Sequence, residues 1–340
     1  MRRHTVETCA LALSLATVLA GCAQTPAAPT DQGASEQETT QEEAASTAYP
    51  TPAPITAGRD EEHAELMLAG HTYTLDAAHK VDGRQGIAVS EDGYIVSGSK
   101  TLSVYDGDWN LKKTNDDPFK GIENTVNHLG DIDYYQGEIY AGVENFLDGK
   151  AENIQIVVYD ADTLEPVRTF PFDPASGQNE VSGIAVDEDN GCVWMCSWAD
   201  GESGRYLYRY DLEDGTYLGK YHLQAAPQWI QGICYLDGCI YITADDGTAD
   251  VGEPDHVWRT RVDPSSTSWR VTLERTLDDV TMAGEVEGIS FDRKNQQMLV
   301  SHNRGARIVL GMPQGFYKGY EEEVHEVYVY GMEPVSRQLD

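Results

Sequence analysis

Five times after residue 80 the sequence passes through one short strand signature: Gln85-Gly86-Ile87-Ala88-Val89, Gly130-Asp131-Ile132-Asp133-Tyr134, Ser182-Gly183-Ile184-Ala185-Val186, Gln231-Gly232-Ile233-Cys234-Tyr235 and Glu287-Gly288-Ile289-Ser290-Phe291. The isoleucines stand 45, 52, 49 and 56 residues apart. A turn follows each copy, among them Gln136-Gly137 and Asp237-Gly238, and then a β-rich second strand such as Cys239-Ile240-Tyr241-Ile242. A third strand ends on an aromatic residue or valine before an acid, as in Tyr105-Asp106 and Tyr159-Asp160, and a fourth completes the unit, as in Val167-Arg168-Thr169-Phe170. Four antiparallel strands repeating at this period define a β-propeller blade, so the expected fold is all-β, one propeller of five four-stranded blades.

Two further features support that reading. The signature strands carry large residues on one face (Ile87, Ile132, Ile289) and small ones on the other (Gly86, Ala88, Gly183, Ala185), the pairing that wedge-shaped packing between blades requires. The fifth copy has too little sequence after Gly331 for a fourth strand, and His71-Thr72-Tyr73-Thr74-Leu75 is the segment expected to fill that place and close the ring. Six blades are the alternative, with Glu65-Leu66-Met67-Leu68 forming an extra hairpin with residues 71 to 75.

The first residues read as an export signal: Arg2 and Arg3 precede an apolar run from Cys9 to Ala20 that is too short to span a bilayer as a helix. Leu19-Ala20-Gly21-Cys22 resembles the lipobox of bacterial lipoproteins. That resemblance implies cleavage after residue 21, a lipid on Cys22 and a membrane-anchored location outside the cytoplasm. From Ala23 to about Ala57 the chain is Ala, Thr, Gln, Glu, Ser and Pro with almost no large apolar residue, a composition expected to stay disordered. Such a spacer has a span of roughly 30 Å. The expected organisation is a signal over 1–21, a lipidated spacer over 22–57 and the propeller over 58–340.

A formal charge of −33 in 340 residues disfavours nucleic acid as a partner and makes cations easier to attract. Cys192, Cys196, Cys234 and Cys239 remain after the signal and the lipidated cysteine are set aside; their redox state is left open, since export permits disulfides and no metal-binding spacing occurs among them.

The repeat pattern resembles the extracellular propellers that include the NHL, YVTN and SMP-30/gluconolactonase-like groups. In such rings the loops leading into the inner strands and those after the second strands converge at one end of the axis. The expected mouth here comprises Gln85, Gln231 and Glu287 with Ser182, joined by Glu144, Asn145, Trp198, Trp229, Asn303 and Arg304 as ligand contacts. Asp131 is the sharpest anomaly, because the other copies carry glycine there; a buried carboxylate needs a partner or a cation. Asp131 and Glu287 are therefore the candidate ligands of a divalent cation, calcium being the one suited to oxygen donors. Glu287-Gly288 is similar to the metal-binding Glu-Gly of the gluconolactonase-like group. His302 and His128 are the candidate general bases. Two functions follow: a membrane-anchored binding module whose mouth takes a glycan, peptide or protein partner, or a metal-dependent hydrolase of a lactone or phosphoester similar to the lactonases or calcium-dependent apyrases.

Overall fold

The computed structural model describes residues 69–335 apart from residues 200 and 282. The export signal, Cys22, the spacer and the Glu65–Leu68 alternative lie outside the described residues.

Each sequence repeat is one blade. Strand β1 (His71–Lys80) comes first, followed by β2 (Ile87–Val89), β3 (Gly93–Gly98), β4 (Thr101–Asp106) and β5 (Leu111–Asn115) of blade 1. Blade 2 is β6 (His128–Tyr135), β7 (Glu138–Leu147), β8 (Lys150–Asp160) and β9 (Pro166–Pro171). Blade 3 is β10 (Ile184–Asp187), β11 (Cys192–Met195), β12 (Tyr206–Asp211) and β13 (Tyr217–Gln224). Blade 4 is β14 (Ile230–Leu236), β15 (Cys239–Ala244), β16 (His256–Arg261) and β17 (Ser268–Thr276). Blade 5 takes β18 (Gly284–Asp292) and β19 (Gln297–Arg304), puts out a hairpin of β20 (Ala306–Val309) and β21 (Met312–Phe316), and returns with β22 (Val324–Pro334). The turns are the tight ones the sequence announces. Gln136-Gly137 and Asp237-Gly238 both hold positive φ at each central residue (49° and 85°, 49° and 78°), the twist that joins right-twisted strands in two residues.

The core is not one mass but five wedges, one at each blade interface. Ile87 packs toward blade 5 with Leu299 and Val327, while Ala88 on its other face joins Ile132 of blade 2. Ile184 faces blade 2, Ile233 faces Ala185 of blade 3, and Ile289 faces Cys234 of blade 4. The large face of each of these inner strands thus meets the preceding blade, and Ile132, Ile233 and Ile289 do so beside the small residues Ala88, Ala185 and Cys234. All four described cysteines are free thiols, buried in these wedges except for the half-buried Cys239. The apolar wedges are stitched by polar bonds near the axis. Ser97 donates its hydroxyl to Gly130 O at 2.8 Å, and the Asp131 amide donates to Ser182 O at 2.8 Å. Ser182 in turn donates to Ile230 O at 2.8 Å, Thr243 to Glu287 O, and Ser301 to Gln85 O at 2.6 Å. Every interface of the five-bladed ring carries one such bond.

Closure is made by the N-terminal strand. Pairing begins at His71 with Pro334 and runs to Lys80 with Glu326, so β1 is the outer strand of blade 5 and extends five residues past the expected end at Leu75. Its first turn is held by the neighbouring blade: Glu274 on β17 accepts from the amides of Gly70 (2.8 Å) and His71 (3.0 Å) and from the Tyr73 hydroxyl (2.8 Å), and pairs with Arg259 at 3.1 Å. Burial alone would raise the Glu274 pKa, but these donors and Arg259 outweigh it and hold the carboxyl below its ordinary value. A depressed folded-state pKa contributes stability that is full above the unfolded value, roughly pH 4.3, and is lost as the pH falls through the folded value. Glu274→Ala is therefore expected to destabilise the protein by about 3 kcal/mol at neutral pH, leaving Arg259 and the amides without their acceptor. In thermal unfolding followed by circular dichroism, the gap between wild type and variant should close as the pH is lowered through that range; an unchanged gap would mean that Glu274 is not the latch.

Candidate functional site

At the centre of the ring, four blades present glycine (Gly86, Gly183, Gly232, Gly288) and blade 2 presents Asp131. The Asp131 side chain occupies the space the glycines leave. A Cβ on Gly86 would stand 2.5 Å from Oδ1, one on Gly232 would stand 2.7 Å from Oδ2, and one on Gly288 would collide with Oδ1. Oδ1 accepts from the Ile87 amide at 3.3 Å and Oδ2 from the Ile233 amide at 3.2 Å, so the carboxylate bridges blades 1, 2 and 4 across the axis. Asp133 does the same two residues on, accepting from Val186 of blade 3 and from its neighbour Tyr134, both at 2.8 Å. Burial raises the pKa of both, Asp133 to about 7.

This geometry corrects one expectation. Asp131 is aimed at N–H donors, the polarity opposite to a cation site, and among the described residues no group of three or more His, Cys, Asp or Glu side chains is placed to hold a metal ion. The shared Asp131–Glu287 cation does not fit these residues.

Two substitutions test the axial plug. Asp131→Asn turns an NH2 toward one of two amides that need an acceptor and is expected to cost about 1–3 kcal/mol. Gly288→Ala should destabilise the wild type strongly and cost less in an Asp131→Gly background, where the clash with the Gly86 backbone at 2.7 Å remains but that with the carboxylate is gone, a coupling that a double-mutant cycle by chemical denaturation will read. Additive effects would show that the two positions do not share the axis.

Above the plug, at the end where chains enter the inner strands, lies a cleft of about 60 Å³. Gln85, Ser182, Gln231 and Glu287 line it from four different blades, as the sequence suggested. His128 and Trp198 join them. A polar chain runs across it: Gln85 Nε2 donates to Glu287 Oε1 at 3.4 Å, His128 Nε2 meets Gln85 Oε1 at 3.1 Å, and His128 Nδ1 faces Glu144 Oε1 at 3.5 Å. Glu144 Oε2 accepts from the Val181 amide of blade 3 at 2.8 Å. Burial lowers the pKa of His128 to about 4 and raises that of Glu144 to about 8. Glu287 is raised by burial and then by Glu285, Glu285 by burial to about 7, and Glu180 by burial and then by Glu144.

The other expected contacts are arranged differently. Trp229 does not line the cleft but lies against Trp198, ring centres 4.9 Å apart, beside a neighbouring hollow with Pro227 and Arg205. Half-buried Asn145 is absent from the cleft lining, and Arg304 is committed to Glu326 and the Tyr320 hydroxyl. His302 is corrected as a candidate base. The segment Ser301–Arg304 is not a loop but the end of β19, and strand alternation turns His302 into the wedge between blades 4 and 5, its ring edge-on to Tyr328 at 4.9 Å. Burial takes its pKa to about 3. Asn303, one residue on, faces the opposite way and is fully buried.

Sequence reading missed Arg84, Phe146, Glu180 and Glu285, which also line the cleft. Glu285 was within reach, since residues two apart on a strand share a face with Glu287. Phe146 was not, because its place beside His128 and Trp198 (ring centres 5.7 and 6.4 Å away) is set by the tertiary fold and by the β20–β21 hairpin, which reaches over from blade 5 and sets Ile308 and Gly311 at the rim, Gly311 against the Phe146 ring. In the loop after β15, Asp246 accepts from His256 and Trp258 and Asp255 from the Gly247 amide, while Asp250 pairs with Arg307 of the β20–β21 hairpin. At the far end of the axis a second hollow of about 410 Å³ is lined by Asp133, Tyr134, Tyr235, Phe291 and Arg293 among others.

The fold and its closure define the class: a five-bladed β-propeller. No protein-family model matches the chain, and no curated protein matches it. Among solved structures it is similar to the PQQ-bound aldose sugar dehydrogenase of Streptomyces coelicolor, with 11% identity, a TM-score of 0.43, and coverage of 77% of this chain and 99% of that one. It is also similar to the Kuenenia stuttgartiensis hydrazine synthase (11%, TM-score 0.40, 77% and 69%) and to the Neurospora crassa Pan2 WD40 domain (10%, TM-score 0.35, 74% and 63%). These likenesses concern the fold alone.

Proposed function

We propose that this protein is an exported, lipid-anchored binding module whose propeller mouth takes a ligand, a glycan or a peptide segment of a partner. One observation carries the reading: polar side chains from four blades converge with Trp198 and Phe146 on a single cleft at one end of the axis, above a sealed centre. Convergent polar groups beside aromatic faces in a concavity are the usual makings of a small-ligand site. The hydrolytic alternative has less to draw on, since His302 is buried away from the mouth and Asp131 is taken up by amides. The lipobox-like Leu19–Cys22 and the acidic spacer after it support the location, and they would hold the ring within a few nanometres of a membrane.

Two measurements test this. In fractionated cells the wild type should sit with the membrane and Cys22→Ser should be released from it; a soluble wild type would remove the anchor. For the mouth, the detergent-solubilised full chain is screened on glycan and peptide arrays, and hits are titrated by tryptophan fluorescence. Trp198→Ala should weaken binding roughly tenfold or more, as loss of a buried aromatic contact does. Hits indifferent to Trp198→Ala would place binding elsewhere.

A further inference from the structure

The cleft is short of positive charge. Glu180, Glu285 and Glu287 line it and Glu144 stands behind His128, whereas the lining residues include one arginine or lysine, Arg84, which contacts Ser99 at 3.3 Å and Glu323 at 3.8 Å and whose charge is shared by Glu285 and Glu287. Acids alone would say little, but buried polar atoms beside them lack partners. Asn303 has no exposed surface, pairs across the sheet with Glu285 so that both side chains leave the same face, and has no hydrogen bond to either atom of its amide. Oε1 of Glu144 and Nδ1 of His128 make no hydrogen bond and have only each other, 3.5 Å apart. Buried polar atoms are nearly always paired, so an amide orphaned on both atoms beside a cleft-lining acid marks a position where a bound group supplies what is missing.

The missing group is a donor of compact shape. Carboxylate and amide oxygens call for N–H, and a volume of about 60 Å³ admits a head group of a few atoms but not a whole ring. Trp198 and Phe146 beside the acids favour an apolar or ring-shaped stem over a bare ion. A primary ammonium fits on every count, with three donors and one charge. We infer that the mouth holds the primary ammonium of its ligand between Glu285 and Glu287, with the stem against Trp198; the inference rests on the binding reading above and names the chemistry of what is bound. Amino sugars and lysyl side chains both carry that group.

The experiment titrates the full chain calorimetrically with glucosamine against glucose, with Nα-acetyl-lysine amide against Nα-acetyl-norleucine amide, and with calcium chloride. At least one ammonium probe should bind saturably and roughly tenfold or more tightly than its neutral counterpart, and which pair responds identifies the source of the amine. Glu287→Gln should weaken that binding by a similar factor, and Glu285→Gln serves as the second variant should Glu287→Gln fail to fold by near-ultraviolet circular dichroism. Equal binding of the neutral probe, ammonium binding unchanged by either folded variant, saturable binding of calcium alone, or no saturable ammonium binding up to millimolar concentration each overturns the inference. If neutral glucose binds as well as glucosamine and Trp198→Ala abolishes both, the binding module stands and the ammonium assignment falls.

Discussion

The innermost strand of a propeller blade has one edge with no strand beside it, and the N–H groups on that edge point toward the axis. In a wide channel water accepts from them; in a narrow one something else must, because an orphaned buried amide costs about 1–3 kcal/mol. Here the acceptor is a side chain. Asp131 takes the amides of Ile87 and Ile233, and Asp133 takes that of Val186, so blade 2 satisfies the inner edges of blades 1, 3 and 4. The glycines of three other copies are the counterpart of that arrangement, since a Cβ on Gly86, Gly232 or Gly288 would crowd the carboxylate, whereas Gly183 makes room for Cys196 and the blade 4 backbone. One position in the repeat therefore breaks symmetry so that the other four can keep it.

This also explains what the sequence made legible. Strand order, turn type, blade number and the closing strand all follow from local patterns, and the alternation of Ile289 with Gly288 and Ser290 foretold which face of each blade meets its predecessor. Asp131 stood out as an anomaly for the right reason, a carboxylate in a glycine position, but its meaning was inverted. The groups that satisfy it lie 44 and 102 residues away in the chain, and nothing local says whether a buried acid will face a cation or an amide. His302 failed for a different reason. Its segment reads as a loop, yet β19 continues through it to pair with β18 and β22, and one more turn of alternation moves a side chain from the mouth to the core. The stitching hydroxyls Ser97, Thr243 and Ser301 hold equivalent places in their second strands, a signal present in the sequence but visible only once the isoleucine register is aligned.

Beyond the plug, the mouth is built by departures from the repeat. The β20–β21 hairpin is an insertion in blade 5 that reaches Phe146 and Gly149 of blade 2 and, through Arg307, Asp250 of blade 4. It leaves Val309 and Leu310 about half exposed, an unusual cost at the tip of a surface hairpin. Because this hairpin overhangs the cleft, the enclosed volume is small, and a ligand's head group is desolvated where the acids are. In such surroundings each charge-assisted bond counts for more than it would in open water.

The two ends of the axis treat their buried acids differently. Toward the far end, Asp133 accepts two amides, Asp187 accepts from Asn190 and the Trp194 indole, and Asp292 accepts from the amide and side chain of Asn295. Those carboxylates are structural and their hydrogen bonding is provided within the fold. At the mouth, Glu287 has one long contact to Gln85, Glu144 Oε1 has only His128 at 3.5 Å, and the buried amide of Asn303 is unpartnered on both atoms. At the far end these acids are satisfied within the fold, whereas at the mouth Glu180 takes the Trp198 amide and Glu287 and Asn303 are left wanting. Folding alone gives no reason for that asymmetry, because each unpaired buried group costs stability wherever it sits. A bound donor at the mouth supplies one, and it places the ligand's charge beside acids that share Arg84.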